Sequence, residues 1–225
     1  MGFLFLLLGA AGMASFADLD LDGSDKDVDA SEETQDDDVD VSAEALIELL
    51  EDATVVDGDD AGYDIETADE DDVVIVDGKQ VLDGEDFTDE NIETNDGDDY
   101  VELTGGHGSQ ADEIDLGAGD DVINVGFGSV VDSLIMGAGA DVLAMTGMCT
   151  EVTVEDFDPA EDVLALDLGL SFLNGDDAMD YVEFNETDDG VTMAVVEPEG
   201  TEIFAMVTLK GLTMNDVANL EIMFG

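Results

Sequence analysis

Between residues 95 and 145, short apolar pairs alternate with polar, glycine-containing loops. The two apolar residues of each pair are separated by one residue, which places both on the same face of a β-strand. An aspartate precedes each pair. This pattern predicts five short strands, at Tyr100–Leu103, Glu113–Leu116, Val122–Val125, Ser133–Met136 and Val142–Met145.

The same stretch contains a twenty-residue unit written twice. Gly106–Val125 and Gly126–Met145 are identical at nine of twenty positions when aligned without gaps. The apolar positions keep their character, so that Ile114 corresponds to Leu134 and Ile123 to Leu143. A repeat this short is typical of a stacked fold in which each unit contacts only its neighbours.

The loops alternate between two lengths. Three short loops reach an aspartate directly, and two longer loops reach theirs after two further residues. Glycine suits such turns because it adopts positive φ without steric cost, and carbonyl oxygens with a carboxylate are preferred ligands of a hard cation. The candidate metal ligands are Asn95, Gly97 and Asp99; Gly117, Gly119 and Asp121; Gly137, Gly139 and Asp141 in the short loops; and Gly106, Gly108, Asp112, Gly126, Gly128 and Asp132 in the long ones.

These units resemble the nonapeptide G-G-x-G-x-D-x-U-x of repeats-in-toxin (RTX) proteins, the hemolysin-type calcium-binding repeat. The apolar position U matches Val101, Ile114, Ile123, Leu134 and Leu143. The resemblance implies an all-β fold built on a parallel β-roll, with calcium ions bound between stacked loops. It implies about two ions between the three short loops. The long loops depart from the consensus, which leaves calcium binding there open.

The charge balance is extreme, with 62 acidic residues, three lysines and a formal net charge of −59. Without a basic patch, the chain is not expected to bind nucleic acid or an anionic membrane surface through charge. The acidic residues either keep the surface hydrated in a salty medium or serve as calcium ligands, and both interpretations can hold. A single cysteine, Cys149, excludes an intrachain disulfide.

The N-terminal part divides into three segments by composition. Residues 1–17 are an apolar N-terminal segment, which is either a secretory signal or a membrane-associated anchor. Residues 18–41 form an acidic linker predicted to be disordered. Residues 42–94 are predicted to cap the roll with a helix at Ser42–Asp52 and strands at Tyr63–Glu66, Val73–Val76 and Gln80–Leu82.

Two arrangements are open for the last two of those strands. Asp77-Gly78 suits a two-residue hairpin turn between them. Alternatively, the strands are degenerate coils that begin the roll.

The roll and its closing segment are assigned to residues 95–168. The stretch Glu151–Leu170 resembles the segment that closes the roll in serralysin-type C-terminal domains. Val152 and Val154 are then expected to continue the strand stack, Phe157 and Leu164 to plug the core, and Asp158-Pro159 to form a turn.

Residues 169–225 are predicted to form an antiparallel meander with strands Tyr181–Glu186, Val191–Val196 and Glu202–Leu209. A short helix at Met214–Asn219, capped by Thr213, follows. The C-terminus resembles the uncleaved signal of type I secretion, and the alternative is a last edge strand.

No catalytic constellation is present in the sequence. The chain has one histidine, His107, at a variable loop position, and no HExxH or GxSxG motif. We therefore predict a non-enzymatic, secreted extracellular protein that binds calcium and folds on binding, with the type I secretion machinery as a partner. The alternative is a structural or adhesion protein attached to a membrane or cell surface through residues 2–17.

Overall fold

A computed structural model describes residues 54–57, 64–77, 91–104, 110–148, 150–173, 177–197 and 202–225. This part of the chain is mostly β-structure, which confirms the predicted fold class at that level. Its helical segments are two 3-10 helices, Ala178–Tyr181 and Val217–Asn219, and none of its helices is long and apolar enough to cross a membrane. The strands are β1 (Thr54–Asp57), β2 (Asp64–Glu66), β3 (Val73–Asp77), β4 (Asn91–Glu93), β5 (Tyr100–Thr104), β6 (Gln110–Asp115), β7 (Val122–Val125), β8 (Val130–Ile135), β9 (Val142–Met145), β10 (Thr150–Val154), β11 (Val163–Leu166), β12 (Val182–Glu186), β13 (Gly190–Val196), β14 (Ile203–Lys210) and β15 (Glu221–Phe224).

From β1 to β11, successive strands alternate between two sheets. Sheet A has the order β1-β3-β5-β7-β9-β11-β15, and sheet B has the order β12-β13-β14-β10-β8-β6-β4-β2. All neighbouring strands are parallel except β12, β13 and β14, which pair antiparallel among themselves. Each pass along the chain therefore adds one strand to sheet A and one to sheet B, which is the stacking that the repeat predicts.

The repeated apolar positions stack on one another in the core. Ile114 pairs with Leu134 in sheet B, and Ile123 pairs with Leu143 in sheet A. All four are fully buried in one apolar cluster to which both sheets contribute. The alternation predicted from the sequence is thus confirmed, because residues spaced by two lie on the buried face of each strand.

Two predicted strand boundaries were wrong. The strands expected at Glu113 and Ser133 begin three residues earlier, at Gln110 and Val130. Parallel pairing of these earlier residues, Gln110 with Val130, extends the ladder toward the long loops. The long loops are therefore shorter than the spacing of glycine and aspartate suggested.

The N-terminal strands extend both sheets rather than forming a hairpin. β3 lies between β1 and β5 and is parallel to both. Because both of its edges are occupied, the hairpin at Asp77-Gly78 was wrong, and β3 instead extends sheet A in parallel. The predictions on residues 1–53, among them the helix Ser42–Asp52, and those on Gln80–Leu82, His107 and Cys149 fall outside the described residues.

The C-terminal half continues the same two sheets. β10 contains Val152 and Val154, and Phe157 and Leu164 are buried in the core as expected. The Asp158 carbonyl accepts hydrogen bonds from the N–H groups of residues 161 and 162, which confirms the turn.

The predicted meander is confirmed, but it is continuous with sheet B, because β14 pairs in parallel with β10. The predicted helix Met214–Asn219 is only the 3-10 turn Val217–Asn219. Thr213 does not cap it through its own side chain, since its N–H and hydroxyl both donate to Asp216 Oδ2. The last strand, β15, pairs with β11 at the end of sheet A.

Candidate metal centre

The three short glycine loops stack directly on one another along one edge of the fold. Isolated parallel bridges join Asp96 to Ala118 and Ala118 to Ala138. The Ala118 N–H donates to the Asn95 carbonyl at 2.9 Å, and the Ala138 N–H donates to the Gly117 carbonyl at 3.0 Å. The sequence prediction that these loops share one edge is therefore confirmed.

An uninterrupted line of aspartates runs through this edge, and we call it the aspartate ladder: Asp72, Asp99, Asp121, Asp141 and Asp162. Along it, each of the last four side chains uses Oδ1 to accept the backbone N–H of the preceding member. The N···O distances from the first pair to the last are 2.8, 2.8, 2.9 and 3.2 Å. The ladder thus ties five consecutive loops together through side-chain hydrogen bonds, independently of the sheets.

The second carboxylate oxygen of the three central members lacks a partner. Within the described part of the chain, Oδ2 of Asp99, Asp121 and Asp141 is buried and accepts no hydrogen bond. The three side chains are at most 1% exposed. A buried carboxylate oxygen without a proton or cation is costly, because its hydration has been removed without replacement.

Burial also shifts the acidity of these groups. Desolvation, with added repulsion from neighbouring carboxylates, raises the pKa of Asp121 from 3.8 to about 8. For the same main reason, the pKa of Asp141 rises to about 7 and that of Asp99 to about 6. The backbone hydrogen bonds to Oδ1 oppose this shift without cancelling it. Positive charge, supplied either by protons or by a bound cation, would therefore stabilise this edge.

Glycine is required in these loops for two separate reasons. Gly117 has φ of +86°, a region that side chains with a Cβ rarely adopt. A Cβ placed on Gly117 would also lie 1.6 Å from the Asn95 carbonyl oxygen of the loop below. Gly119 repeats this relation with the Gly97 carbonyl oxygen, at 1.7 Å. Each loop therefore brings main-chain oxygens against the next loop, where only glycine leaves room.

A second line of carboxylates runs outside the ladder. Oδ1 of Asp71 accepts from the Asp98 N–H, and Oδ1 of Asp98 accepts from the Asp120 N–H. Asp120 then accepts from the Ala140 N–H at 3.0 Å. Because residue 140 is alanine, the line ends there. This edge consequently carries two parallel series of acidic groups.

The long loops are built differently. Asp112 lies inside β6 and Asp132 inside β8, and both side chains are exposed. Gly128, with φ of +73°, donates its N–H to the Met148 carbonyl in the next turn of the chain. Gly126 donates to the Leu103 carbonyl. Of the candidate ligands at this edge, Gly106 and Gly108 fall outside the described residues, and the two aspartates are not brought into a loop.

The sequence analysis missed both ends of the ladder. Asp72 and Asp162 follow segments without glycine, so the loop motif is absent there. Each is nevertheless followed by a residue and then an apolar position, Val74 and Leu164, which pair in register with the U positions of the repeats. This half of the motif could have identified them.

A cation at this edge would need main-chain ligands. Within the described ranges, no three or more His, Cys, Asp or Glu side chains are grouped so that they could hold a metal ion by themselves. Hard cations accept carbonyl oxygens as readily as carboxylates. The stacked loops that contain these aspartates also contain main-chain carbonyls, among them those of Gly97 and Gly119.

Comparison with known proteins finds no matching family model, no matching curated protein and no matching solved structure.

Proposed function

We propose that this chain is a secreted, calcium-binding protein of the RTX type, whose two sheets form a β-roll that binds calcium between the stacked short loops. The observation that carries this proposal is the buried, unpartnered Oδ2 of Asp99, Asp121 and Asp141. Calcium would supply the positive charge that these atoms lack. It suits them because it accepts six to eight oxygen ligands in flexible geometry.

The ligand set follows from the loops. Asp99, Asp121 and Asp141 would contribute one carboxylate oxygen each, and the glycine loops would contribute main-chain carbonyls, among them those of Gly97 and Gly119. Oδ1 is already engaged by a backbone N–H in every case, which holds each carboxylate in place before an ion arrives. The proposed sites lie between the first and second short loops and between the second and third.

Folding on binding is the expected consequence. With a net charge of −59, the metal-free chain repels itself, and the ladder concentrates that repulsion in the interior. Ions bound only by the folded state stabilise it by mass action, by about 1.4 kcal/mol per site at ten times the dissociation constant. A protein of this kind would be extended where calcium is scarce and compact outside the cell.

The test is a calcium titration of the purified protein from chelator to about 10 mM, which covers the weak extracellular range of roughly 10⁻⁴ to 10⁻³ M. Far-UV circular dichroism would report β-structure and light scattering would report compaction, with magnesium as the control ion. We expect a cooperative gain of β-structure with calcium and little with magnesium. Full structure in chelator, unchanged by calcium, would refute the proposal.

A further inference from the structure

The outer face of sheet A carries an apolar row. Tyr100, Val122, Val142 and Val163 occupy neighbouring register positions on β5, β7, β9 and β11. They alternate along their strands with core residues such as Leu143, so they lie on the opposite face. We call these four residues the outer row. In strands that face water on one side, such positions are usually polar.

The two central residues of the outer row are shielded from water, and Tyr100 and Val163 are partly buried. Val122 is 5% exposed and Val142 is 8% exposed, and Ala144 beside them is 2% exposed. They form a cluster that is separate from the core, and among the described residues the apolar neighbours of this cluster all belong to sheet A itself.

The polar groups beside the row are desolvated as well. The Tyr100 hydroxyl donates to Glu102 Oε2 at 3.0 Å. Burial raises the pKa of the Glu102 carboxyl. A carboxylate on the outer face of a two-sheet fold would ordinarily be hydrated, so this shift agrees with a covered face.

The segment Ser42–Asp52 has a sequence suited to cover it. As a helix, it would have its apolar residues, Leu46, Ile47, Leu49 and Leu50, on one side. Its glutamates would fall on the opposite side. The described chain enters sheet A at Thr54, two residues after this segment, and Thr54 pairs with Val74. β1 lies two strands from β5, the first strand of the outer row.

The length of the proposed helix agrees with the width of sheet A that it would cover. Eleven helical residues span roughly 16 Å at about 1.5 Å per residue. From β1, two strand spacings reach β5 and four reach β9, and with strands about 4.8 Å apart these distances are roughly 10 and 19 Å. A helix laid across sheet A from β1 would thus cover Tyr100 and Val122 and approach Val142.

We propose that Ser42–Asp52 folds as a helix and docks its apolar side on the outer row of sheet A, over Tyr100, Val122 and Val142. A second copy of the chain and a lipid surface are the other occupants that an apolar face could take. The net charge of −59 opposes both, because like-charged chains and anionic headgroups repel it. A segment of the same chain escapes this penalty because it is tethered two residues from the sheet.

Paramagnetic broadening in the full-length protein tests the proposal. In a Cys149→Ser background, a nitroxide is attached to Glu48→Cys, which lies on the polar side of the predicted helix. Methyl NMR signals of Val122 and Val142 are then compared with that of Thr208, which lies in sheet B. We expect the two valine signals to be lost and the threonine signal to be retained. Sharp valine signals, or equal loss at all three positions, would overturn the proposal.

Two controls separate docking from other causes. Leu46→Gln with Leu50→Gln should restore the valine signals, whereas Glu44→Gln with Glu51→Gln, on the polar side, should leave them broadened. If the leucine variant keeps the broadening, the apolar side is not the contact and the proposal fails. Broadening of the valine signals when labelled, untagged protein is mixed with unlabelled, tagged protein would identify a second copy as the occupant and would also overturn it. These readouts require folded protein but no ion at a particular site, so they test docking separately from the ligand set proposed for calcium.

Discussion

Replacing Asp121 by asparagine should stabilise the protein in chelator and remove most of the stabilisation that calcium provides. Asp121 is the middle member of the aspartate ladder and belongs to both proposed sites. Asparagine keeps an Oδ1 acceptor for the Asp99 N–H, which lies 2.8 Å from it. The substitution therefore removes the charge at Oδ2 while leaving the stacking hydrogen bond in place.

The magnitude follows from the acidity of the group. Desolvation raises the pKa of Asp121 from 3.8 to about 8. At about 1.36 kcal/mol per pKa unit, the charged form costs on the order of 6 kcal/mol. Burying an amide in its place costs roughly 1–3 kcal/mol. In chelator at pH 8 the variant should therefore be more stable than the wild type by a few kcal/mol.

Calcium should narrow this difference. Loss of both sites removes about 3 kcal/mol of ligand stabilisation at ten times the dissociation constant. The stabilisation gained on moving from chelator to calcium should therefore nearly vanish in Asp121→Asn. Far-UV circular dichroism measures both effects, as the amount of β-structure that each protein retains in chelator and as its urea unfolding midpoint in about 10 mM calcium.

Asp132→Asn is the matched control, because it makes the same change of charge at an exposed position on β8. It should leave the calcium-dependent gain unchanged. An Asp121→Asn variant that is less stable than the wild type in chelator, or that keeps the full gain from calcium, would refute the reasoning.

Three further predictions concern stability. Gly117→Ala should lower the free energy of unfolding by at least about 3 kcal/mol, because it combines a positive φ with a carbonyl oxygen 1.6 Å from the new Cβ. Gly169 has φ of +66° but open space around it, so Gly169→Ala should lower the free energy of unfolding by only about 1–2 kcal/mol. Equal shifts of the urea midpoints in calcium would contradict the close-approach argument. Leu143→Ala should cost about 2–5 kcal/mol because the side chain is fully buried, whereas Ile203→Ala, at a side chain 57% exposed, should change the free energy of unfolding by about 0.5 kcal/mol or less. In chelator, the folded state binds protons more tightly than the unfolded chain at the central ladder aspartates, so the amount of β-structure measured by far-UV circular dichroism should fall as pH rises from about 4 to about 8; an increase of β-structure over that range would contradict the desolvation of these groups.

The repeat made much of the fold predictable. A shift of twenty residues superimposes Gly117 on Gly137 and Ile123 on Leu143, and the structure pairs those same residues across neighbouring strands. The prediction succeeded because stacked repeats place equivalent residues side by side. The stacking of the three short loops was expected from the resemblance to RTX repeats.

Where the motif was degenerate, the prediction weakened. Asp72 and Asp162 were missed because their loops lack glycine. A hairpin was considered for β3 because Asp77-Gly78 is a strong local turn signal. Pairing of β3 with β1 and β5 overrode that signal. Local turn preference is a small energy compared with hydrogen bonding and burial along both edges of a strand.

By itself, the sequence determined the alternation of strands and loops, the register of the repeats and the position of the acidic glycine loops, because these depend on local periodicity. Only the tertiary structure decided that the ladder runs through five loops and that Oδ2 of Asp99, Asp121 and Asp141 is buried without a partner. It also decided that the two central residues of the outer row of sheet A are shielded from water. Burial and hydrogen-bond partners depend on residues twenty or more positions apart in the chain, which only the stacking of the strands brings together.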